Sequence, residues 1–426
     1  MAALVTPSQE HAFRRGPRVV AIETVIPDHV FPGLLLLRVQ TDAGTVAGDP
    51  VIGHGETYYA PHGVAAILHD WMARRLLGAD ALAIESHWRF LYERATAFGG
   101  TGAELRALSA IDLALWDVLG QLTRQPIWRL LGGPVRDRIP VYHSCGGPLY
   151  GGRRPGDAGG QGWPGHGDPG RPGPLEDNWR SRHEPGDLAE ELLAAGYRAM
   201  KLWSFDEIYQ RQGGLQIRWE DVDYGLAPFR AIRERVGRRM ELMLDGHGFF
   251  ALPAALRIAQ AMREIEPLWL EDVLRPDAVE TMAVFRERAG VPIAVSEMVV
   301  LRDMLRQVLD RRAADYVMID PTWVGGISET RRMAELAQLH NLPVLMHDCT
   351  GPLTLFAGLH VSAAVPAVTS QETVRAHMAT VYPQLIDEPP VIQDGHIALP
   401  ERPGLGVRLR DDLFDGRHPQ YRITRL

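Results

Sequence analysis

The first part of the chain alternates apolar and polar positions with the period of two that is typical of antiparallel strands. This pattern covers residues 19–56, with an apolar run at 34–39 and a predicted turn at 42–44. Apolar residues then recur at helical spacing over residues 104–119. Strands followed by helices predict an α+β domain, to which we assign residues 1–137.

The pattern changes after Arg138, where short apolar runs alternate with helical stretches such as 253–265, 299–311 and 328–340. This alternation is typical of repeated βα units around a parallel sheet. The runs predict eight strands, at residues 139–145, 197–203, 240–245, 267–271, 291–297, 314–320, 342–347 and 367–372. We therefore predict a closed α/β barrel over residues 138–385. Residues 386–426 return to strand-like alternation, and we expect this C-terminal segment to rejoin the first domain.

Residues 146–185 are rich in Gly, Pro and Arg and have no apolar periodicity. Such a segment cannot form a packed core, so we expect a disordered surface insertion in the barrel. The alternative is a mobile lid, because loops that follow barrel strands lie on the catalytic face.

Composition favours small molecules as the partners of this protein. A formal net charge of -8 gives no attraction to nucleic acid or to anionic membranes. The chain contains neither an apolar run of membrane-spanning length nor a secretory signal, so we expect a cytoplasmic protein. Cys145 and Cys349 are too few for a disulfide framework and wrongly spaced for a cysteine-based zinc site.

Lys201 is the only lysine in the chain, and all other basic residues among the 45 are arginines. Arginine replaces lysine well at surfaces, but its high pKa prevents proton exchange and its head group is wide and planar. The single lysine therefore marks a position where arginine does not serve, unless it is a chance remnant of compositional bias.

Polar residues stand at or near the ends of seven predicted barrel strands: Lys201, Asp245, Glu271, Glu297, Asp320, His347 and Glu372. From Asp245 onwards they are separated by 26, 26, 23, 27 and 25 residues, which is one βα unit each time. In a closed parallel barrel these strand ends converge on one mouth. Residues that are distant in the sequence are therefore expected to meet in one pocket.

Three successive carboxylates, Asp245, Glu271 and Glu297, would repel one another in such a pocket. A hard divalent cation resolves the repulsion, and Mg²⁺ suits carboxylate oxygens. Zinc is disfavoured without cysteine or paired histidine ligands. The alternative for any single carboxylate is a helix cap or a solvated loop acid.

His347 and Asp320 end adjacent predicted strands, so the carboxylate would orient the ring and raise its basicity. A hydrogen-bonded core histidine beside a turn aspartate is the alternative. His247 stands two residues after Asp245, in a glycine-rich segment that is either a flexible loop or a continuation of the strand into the same pocket.

Taken together, these residues closely resemble the mandelate racemase subgroup of the enolase superfamily, over nearly the whole chain. Further matching segments are 109–117 (Ser-Ala-Ile-Asp-Leu-Ala-Leu-Trp-Asp), 130–133 (Leu-Leu-Gly-Gly) and 403–407 (Pro-Gly-Leu-Gly-Val). The resemblance implies a (β/α)7β barrel with an α+β capping domain, often assembled as dimers or octamers. It also implies Mg²⁺ on Asp245, Glu271 and Glu297, a His347–Asp320 dyad, and Glu372 as the acid after the last strand.

One position departs from the family pattern. Racemases of this group carry Lys-x-Lys on the second strand, whereas here Lys201 is followed two residues later by Trp203. The resemblance therefore favours dehydration of a sugar acid over two-base racemisation. In family dehydratases that lack the second lysine, a histidine in the position of His247 can supply an acid.

The expected reaction removes the proton next to a carboxylate, with Mg²⁺, Lys201 and a protonated Glu372 stabilising the developing charge. His347 would take the proton, and His247 or the newly protonated His347 would donate one to the departing hydroxyl. Epimerisation, lactone cycloisomerisation and a non-catalytic binding scaffold remain alternatives. In loops 24–33 and 53–63, His54, Tyr58 and Tyr59 are candidate substrate contacts or packing residues; Trp203 and loop 204–219 are further candidates for substrate specificity.

Overall fold

The computed structural model describes residues 16–44, 48, 50–148 and 171–426. Its first three strands form an antiparallel sheet, as the alternation predicts. They are β1 (Val19–Val25), β2 (Leu34–Gly44) and β3 (Pro50–Tyr58). The predicted turn at residues 42–44 is wrong, because these residues still belong to β2.

Five α-helices follow the sheet: α1 (Pro61–Ala66), α2 (Ala73–Leu76), α3 (Ile84–Ala95), α4 (Ala103–Thr123) and α5 (Ile127–Leu130). The predicted helix at 104–119 is confirmed as part of α4. This helix lies unusually close to β3, since a Cβ atom on Gly53 or Gly55 would stand 2.0 or 2.1 Å from a carbonyl oxygen of α4. The two glycines therefore let α4 dock directly on the sheet.

The eight predicted barrel strands are all present and parallel, and pairing of the last with the first closes the barrel. They are β4 (Arg138–Ser144), β5 (Ala199–Leu202), β6 (Glu241–Asp245), β7 (Trp269–Glu271), β8 (Ile293–Val295), β9 (Tyr316–Ile319), β10 (Val344–Met346) and β11 (Val368–Thr373). The predicted fold class, an α/β barrel with an α+β capping domain, is confirmed.

The barrel helices are α6 (Asp177–His183), α7 (Pro185–Ala194), α8 (Asp206–Gln212), α9 (Trp219–Val236), α10 (Leu252–Met262), α11 (Val279–Ala289), α12 (Arg302–Asp310), α13 (Gly326–Leu339), α14 (Pro352–Ala364) and α15 (Arg375–Thr380). None of the helices in the described part of the chain is both long and apolar enough to span a membrane.

The glycine-rich insertion at 146–185 is not disordered at its C-terminal end. Residues 149–170 lie outside the described residues, but Asp177 begins helix α6 and is fully buried. Its carboxylate accepts bonds from Arg375 and contacts His143 Nε2 at 2.9 Å. These buried polar contacts anchor the returning end of the insertion to the barrel, although the sequence of this part lacks periodicity.

The C-terminal segment contacts both domains. Its first two strands, β12 (Ile392–Gln393) and β13 (His396–Ala398), form a hairpin that pairs with β4 of the barrel. The last strand, β14 (Arg422–Arg425), pairs with β1 of the capping sheet. The segment therefore crosses from the barrel to the capping domain.

Candidate active site

The period of two along each strand explains why polar side chains face the mouth of the barrel. Met243, Trp269, Met318 and Leu345 belong to the small apolar cluster in the barrel interior, whereas their strand neighbours pack outward against the helices. The residue two positions later lies on the same face of the strand. Those residues are Asp245, Glu271, Asp320 and His347.

Lys201 lies among the acidic residues and is 1% exposed. Its Nζ atom is 2.7 Å from Glu271 Oε1, 2.9 Å from Glu372 Oε1 and 3.4 Å from Asp245 Oδ2. Burial lowers the pKa of the ammonium, but Glu271 and Glu372 outweigh burial, so the pKa lies well above its usual value. Lys201 is therefore a charged donor at the centre of the site.

Glu372 accepts hydrogen bonds from Ser144 Oγ, Lys201 Nζ and the backbone N–H of Asp348. Burial raises the pKa of this carboxyl, but Lys201 and His347 reverse the effect and lower it to about 2. The structure thus favours an ionised Glu372, in contrast to the protonated acid expected from the sequence. The physical reason is the approach of Lys201, His347 and Ser144. The strand pattern brings the first two to the same pocket but gives neither their distance from Glu372 nor the bond from Ser144.

His347 and Asp320 form the expected pair, with His347 Nδ1 2.8 Å from Asp320 Oδ2. The other carboxylate oxygen accepts from the backbone N–H and the hydroxyl of Thr322, both at 2.7 Å. Because a carboxylate accepts, Nδ1 donates to Asp320 and Nε2 is directed to the site. Burial lowers the pKa of the ring, but Glu297 and Glu372 outweigh burial and raise the pKa well above its usual value. Glu297 Oε2 is 3.6 Å from that Nε2 atom.

His247 also lies in the site, on the loop after β6, where its backbone has a φ of 49°. Its Nδ1 is 3.1 Å from Asp206 Oδ1 and its Nε2 is 3.3 Å from Asp245 Oδ2. Burial lowers the pKa of the ring, but Asp206 and Asp245 outweigh it and raise the pKa to about 9. Asp206, at the start of α8, was not predicted as a site residue.

The donor set fits a hard divalent cation. Asp245 and Glu271 are buried, Glu297 is 12% exposed, and the buried Asp272 adds another acid beside them. Burial and the neighbouring Asp245 raise the pKa of Glu271 well above its usual value, although the Lys201 ammonium opposes them, because one cation does not balance the whole group of carboxylates. A divalent cation would relieve this repulsion through oxygen ligands.

In the described part of the chain, two groups of possible metal ligands have ligand atoms within 4.8 Å of one another. They are Asp28 with His29 and His418, and His347 with Cys349 and Glu372. The predicted triad is not among these compact groups. Lys201 bonds to two of its members, Asp245 and Glu271, and so occupies the space between them.

A cleft opens above these residues between the barrel mouth and the capping domain. It is lined by Tyr58, Tyr59, Trp203, Asp245, His247, Glu297, Met298, Trp323, His347, Cys349 and Thr350. The structure thus places Tyr58, Tyr59 and Trp203 at the cleft. The first two stand at the end of β3, which carries them from the capping sheet to the mouth.

His54 does not reach the cleft. It lies four residues before Tyr58 on β3, which corresponds to roughly 13 Å along a strand. The ring is buried, and Nδ1 lies 2.9 Å from Asp117 Oδ2, which also accepts the backbone N–H of His54. His54 therefore joins β3 to helix α4 and is a packing residue.

Four cleft residues were missed in the sequence: Met298, Trp323, Cys349 and Thr350. Each lies a few positions after a barrel strand, in a loop without apolar periodicity. The one sequence signal that could have found them is the rule that loops after barrel strands face the catalytic side. Trp323 is 5% exposed and its ring stacks 3.8 Å from the guanidinium carbon of Arg106 on α4. Among the described residues its indole N–H has no hydrogen-bond partner.

Comparison with known proteins identifies the two domains. Residues 3–132 match the mandelate racemase/muconate lactonizing enzyme N-terminal domain, and residues 185–413 match the enolase C-terminal domain-like family. A D-galactonate dehydratase family member from Streptomyces bingchenggensis is 30% identical over 424 residues, covering 94% of this chain and 93% of that protein. D-xylonate dehydratase from Haloferax volcanii is 29% identical over 404 residues, covering 94% and 89%.

A solved structure gives the same result. An enolase protein from an environmental genome sample of the Sargasso Sea superposes with a TM-score of 0.82 at 34% identity, covering 96% of this chain and 99% of that one. The chain therefore belongs to the mandelate racemase/muconate lactonizing enzyme family, within the enolase superfamily of enzymes.

Proposed function

We propose that this protein is a Mg²⁺-dependent lyase that dehydrates a sugar acid, an aldonate or an aldarate, to a 2-keto-3-deoxy acid. The observation that carries the proposal is the placement of the His347–Asp320 pair and the charged Lys201 around one group of buried carboxylates. Relatives named as dehydratases of xylonate and mannonate support the reaction class.

The first step is removal of the proton next to the substrate carboxylate. His347 Nε2 takes this proton in the neutral form of the ring, in which Asp320 holds Nδ1 protonated and stabilises the imidazolium that forms. Glu297 and Glu372 raise the pKa of His347, and a cation bound to Glu297 would lower it and so favour the neutral form. Lys201 donates to the carboxylate oxygen on which negative charge develops, and the ionised Glu372 holds the ammonium in place. Mg²⁺ held by Asp245, Glu271 and Glu297 would supply Lewis-acid stabilisation of the same charge.

The second step is loss of the neighbouring hydroxyl, which requires a proton donor. His247 is suited to this role because Asp206 and Asp245 raise its pKa to about 9, so that it is protonated at neutral pH. The protonated His347 is the alternative donor. Loss of the hydroxyl gives an enol that becomes the 2-keto acid.

Epimerisation or lactone cycloisomerisation through the same enediolate is a second candidate, favoured by one observation. His347 and His247 each pair with a carboxylate and both line the cleft, so that either could deliver a proton to the carbon. Trp203 counts against racemisation, because it stands where racemases of the family carry a second lysine and it cannot transfer a proton.

The reaction is tested by incubating the protein with a panel of aldonates and aldarates and Mg²⁺ in heavy water, followed by NMR. We expect a 2-keto acid product and exchange of the α proton. Exchange with an epimer as the product would instead identify the second candidate, and Mg²⁺ binding without exchange or product from any panel member would favour a binding scaffold.

The metal assignment is tested separately with Glu271→Gln, which removes one of three anionic ligands. We expect weaker Mg²⁺ binding by calorimetry and loss of turnover with the fold intact. Glu220→Gln, at a side chain that is 84% exposed, serves as the matched control. Unchanged Mg²⁺ affinity in Glu271→Gln would remove Glu271 from the ligand set. A homo-oligomer and a cytoplasmic location remain predictions from the sequence.

A further inference from the structure

A carboxylate from the capping domain is buried beside the dyad of the barrel. Glu56, in β3, is fully buried, and its Oε1 atom accepts from the backbone N–H of Thr354 at 2.6 Å and lies 2.7 Å from the hydroxyl oxygen of Thr354. The next residue, Thr57, donates its hydroxyl to the carbonyl oxygen of Thr322 at 2.9 Å. The end of β3 thus contacts the loop after β9 and the start of helix α14 at once.

The contacts continue from there to the base. Thr354 Oγ1 is 3.1 Å from Thr322 Oγ1, which is 2.7 Å from Asp320 Oδ1, and Asp320 Oδ2 is 2.8 Å from His347 Nδ1. We propose that Glu56 is a positioning residue for His347, acting through the hydroxyls of Thr354 and Thr322 and the carboxylate of Asp320. This inference rests on the proposed function, in which His347 is the base.

The number of hydrogens available decides which oxygen donates in each of these contacts. Three contacts join the four oxygens of Glu56, Thr354, Thr322 and Asp320, but the two hydroxyls supply only two hydrogens. The Thr350 hydroxyl adds no hydrogen to these three contacts, because it donates its own to Thr354 Oγ1 at 3.0 Å. All three contacts are hydrogen bonds only when Glu56 carries a proton and donates to Thr354. Thr354 then donates to Thr322, and Thr322 donates to Asp320.

The surroundings of Glu56 agree with a protonated carboxyl. No ion pair to Glu56 is found among the described residues, and its second oxygen, Oε2, has no partner there. Burial raises the pKa of Glu56 to about 7 against the bonds from Thr354, and the charge of Asp320 acts in the same direction. Asp348 and Tyr382 are the other titratable groups that face it.

A purely structural role would be to cap helix α14. Thr354 is the third residue of that helix, and a carboxylate that accepts its backbone N–H satisfies one of the free donors at the helix start. Such a cap affects unfolding but not the dyad. The hydroxyls of Thr354 and Thr322 distinguish the two roles, because their removal leaves the backbone bond intact.

The test therefore uses Thr322→Val and Thr354→Val, which remove one hydroxyl each and keep the branched shape, with Thr322→Ser and Thr354→Ser as rescue variants. Thr330→Val is the matched control, since Thr330 is also buried, on α13, and its hydroxyl donates to a helix carbonyl at 2.8 Å. Glu56→Ala removes the first member of this series of contacts. Glu56→Gln retains an acceptor for the Thr354 backbone N–H and an amide N–H that donates to the Thr354 hydroxyl.

We expect each valine variant to lower kcat for α-proton exchange about tenfold, the factor that corresponds to one hydrogen bond, with KM changed less than about twofold. The serine variants should recover most of the rate, and Glu56→Gln should lie between Glu56→Ala and the wild type. The NMR signal of the His347 Nδ1 proton should shift in the valine variants and not in Thr330→Val.

Wild-type exchange rates and an unshifted His347 signal in Thr322→Val would overturn the inference, as would equal losses in Thr330→Val. Failure of the proposed function is a different result. It would appear as no exchange in the wild type itself, or as undiminished exchange in His347→Asn, whereas the His347 NMR signal tests the positioning chain without any turnover.

Discussion

Two histidine–carboxylate pairs face each other across the cleft, and their construction differs. His347 follows β10 and His247 follows β6, strands that lie four positions apart in an eight-stranded barrel and hence on opposite sides. Asp320 directly follows β9 and binds His347 at 2.8 Å, with two further donors from Thr322. Asp206 lies at the start of α8 and is 3.1 Å from His247.

The difference indicates a division of labour. A base needs a fixed ring and a defined tautomer, which a strand-end aspartate with all its bonds satisfied provides. His247 sits in a loop, and its Nε2 atom shares the site with Asp245. Carboxylates raise the pKa of both rings, that of His247 to about 9 and that of His347 well above its usual value. A cation bound to Glu297 would cancel the charge that raises the pKa of His347 most, whereas Asp206 would still keep a proton on His247 for donation to the leaving hydroxyl. The predictions below test this asymmetry.

The largest effect is expected for His347→Asn, which removes the base. Both α-proton exchange and product formation should fall by ~10² to ~10⁴, the range of general-base catalysis. Exchange is measured by NMR in heavy water and product as the 2-keto acid. His183→Asn, at an exposed helix position, is the control. Near-normal exchange in His347→Asn would transfer the role of base to His247.

Lys201→Arg should slow both α-proton exchange and product formation. Both follow from proton removal, in which Lys201 stabilises the developing negative charge, whichever histidine donates to the hydroxyl afterwards. The guanidinium keeps the positive charge but is wider and donates in a fixed plane, in a space already bounded by Glu271, Glu372 and Asp245. We expect kcat to fall by at least ~10², the size of losing one oxyanion donor.

Thermal unfolding of the same variant separates catalysis from folding, and we expect its midpoint to change little. Arginine is the residue that the chain uses at every other basic position, so it is the mildest replacement available. Wild-type kcat in Lys201→Arg would show that the lone lysine is a compositional accident.

His247→Asn distinguishes the two histidines most directly. If His247 is only the acid, product should fall by ~10² while α-proton exchange persists, because His347 and Lys201 are untouched. The ratio of exchange to product, measured in one NMR experiment, should therefore rise. A parallel loss of both would mean that His247 also acts in proton removal, whereas an unchanged product rate would assign the acid to His347.

Much of this site could be predicted because its residues stand at the same point of successive βα units. Each βα unit of about 25 residues ends its strand in the same ring, so Asp245, Glu271 and His347 could be placed together from their spacing alone. The antiparallel strands of the capping domain could be predicted in the same way, from the alternation of apolar and polar residues. These features depend on local periodicity, which the sequence displays directly.

The rest depends on contacts between distant residues that have no local pattern. Asp206 starts a helix, and nothing in the sequence orients it toward His247, 41 positions later. Glu56 reaches Thr354 across 298 positions and two domains. The charge of Glu372 likewise depends on donors from three other strands and loops. Protonation states are therefore set by tertiary packing.

The smallest effect is expected for Asp206→Asn, and it appears as a shift in pH dependence. Burial lowers the pKa of His247, and Asp206 is the largest of the influences that raise it to about 9. An acid is active while protonated, so dehydration is lost as the pH rises through this pKa. Asparagine removes the charge, so the pKa of His247 should fall and the alkaline limit of dehydration should move to lower pH.

Near neutral pH the rate should drop by ~10 at most, because an orienting bond is weakened and no proton-transferring group is lost. The pH profile of α-proton exchange should stay as in the wild type, since Asp206 contacts only the His247 side. Asp223→Asn, at a side chain that is 65% exposed on α9, is the control. An unchanged alkaline limit in Asp206→Asn would mean that His247 is not the group that donates to the leaving hydroxyl, and the asymmetry between the two pairs would then reside in their geometry alone.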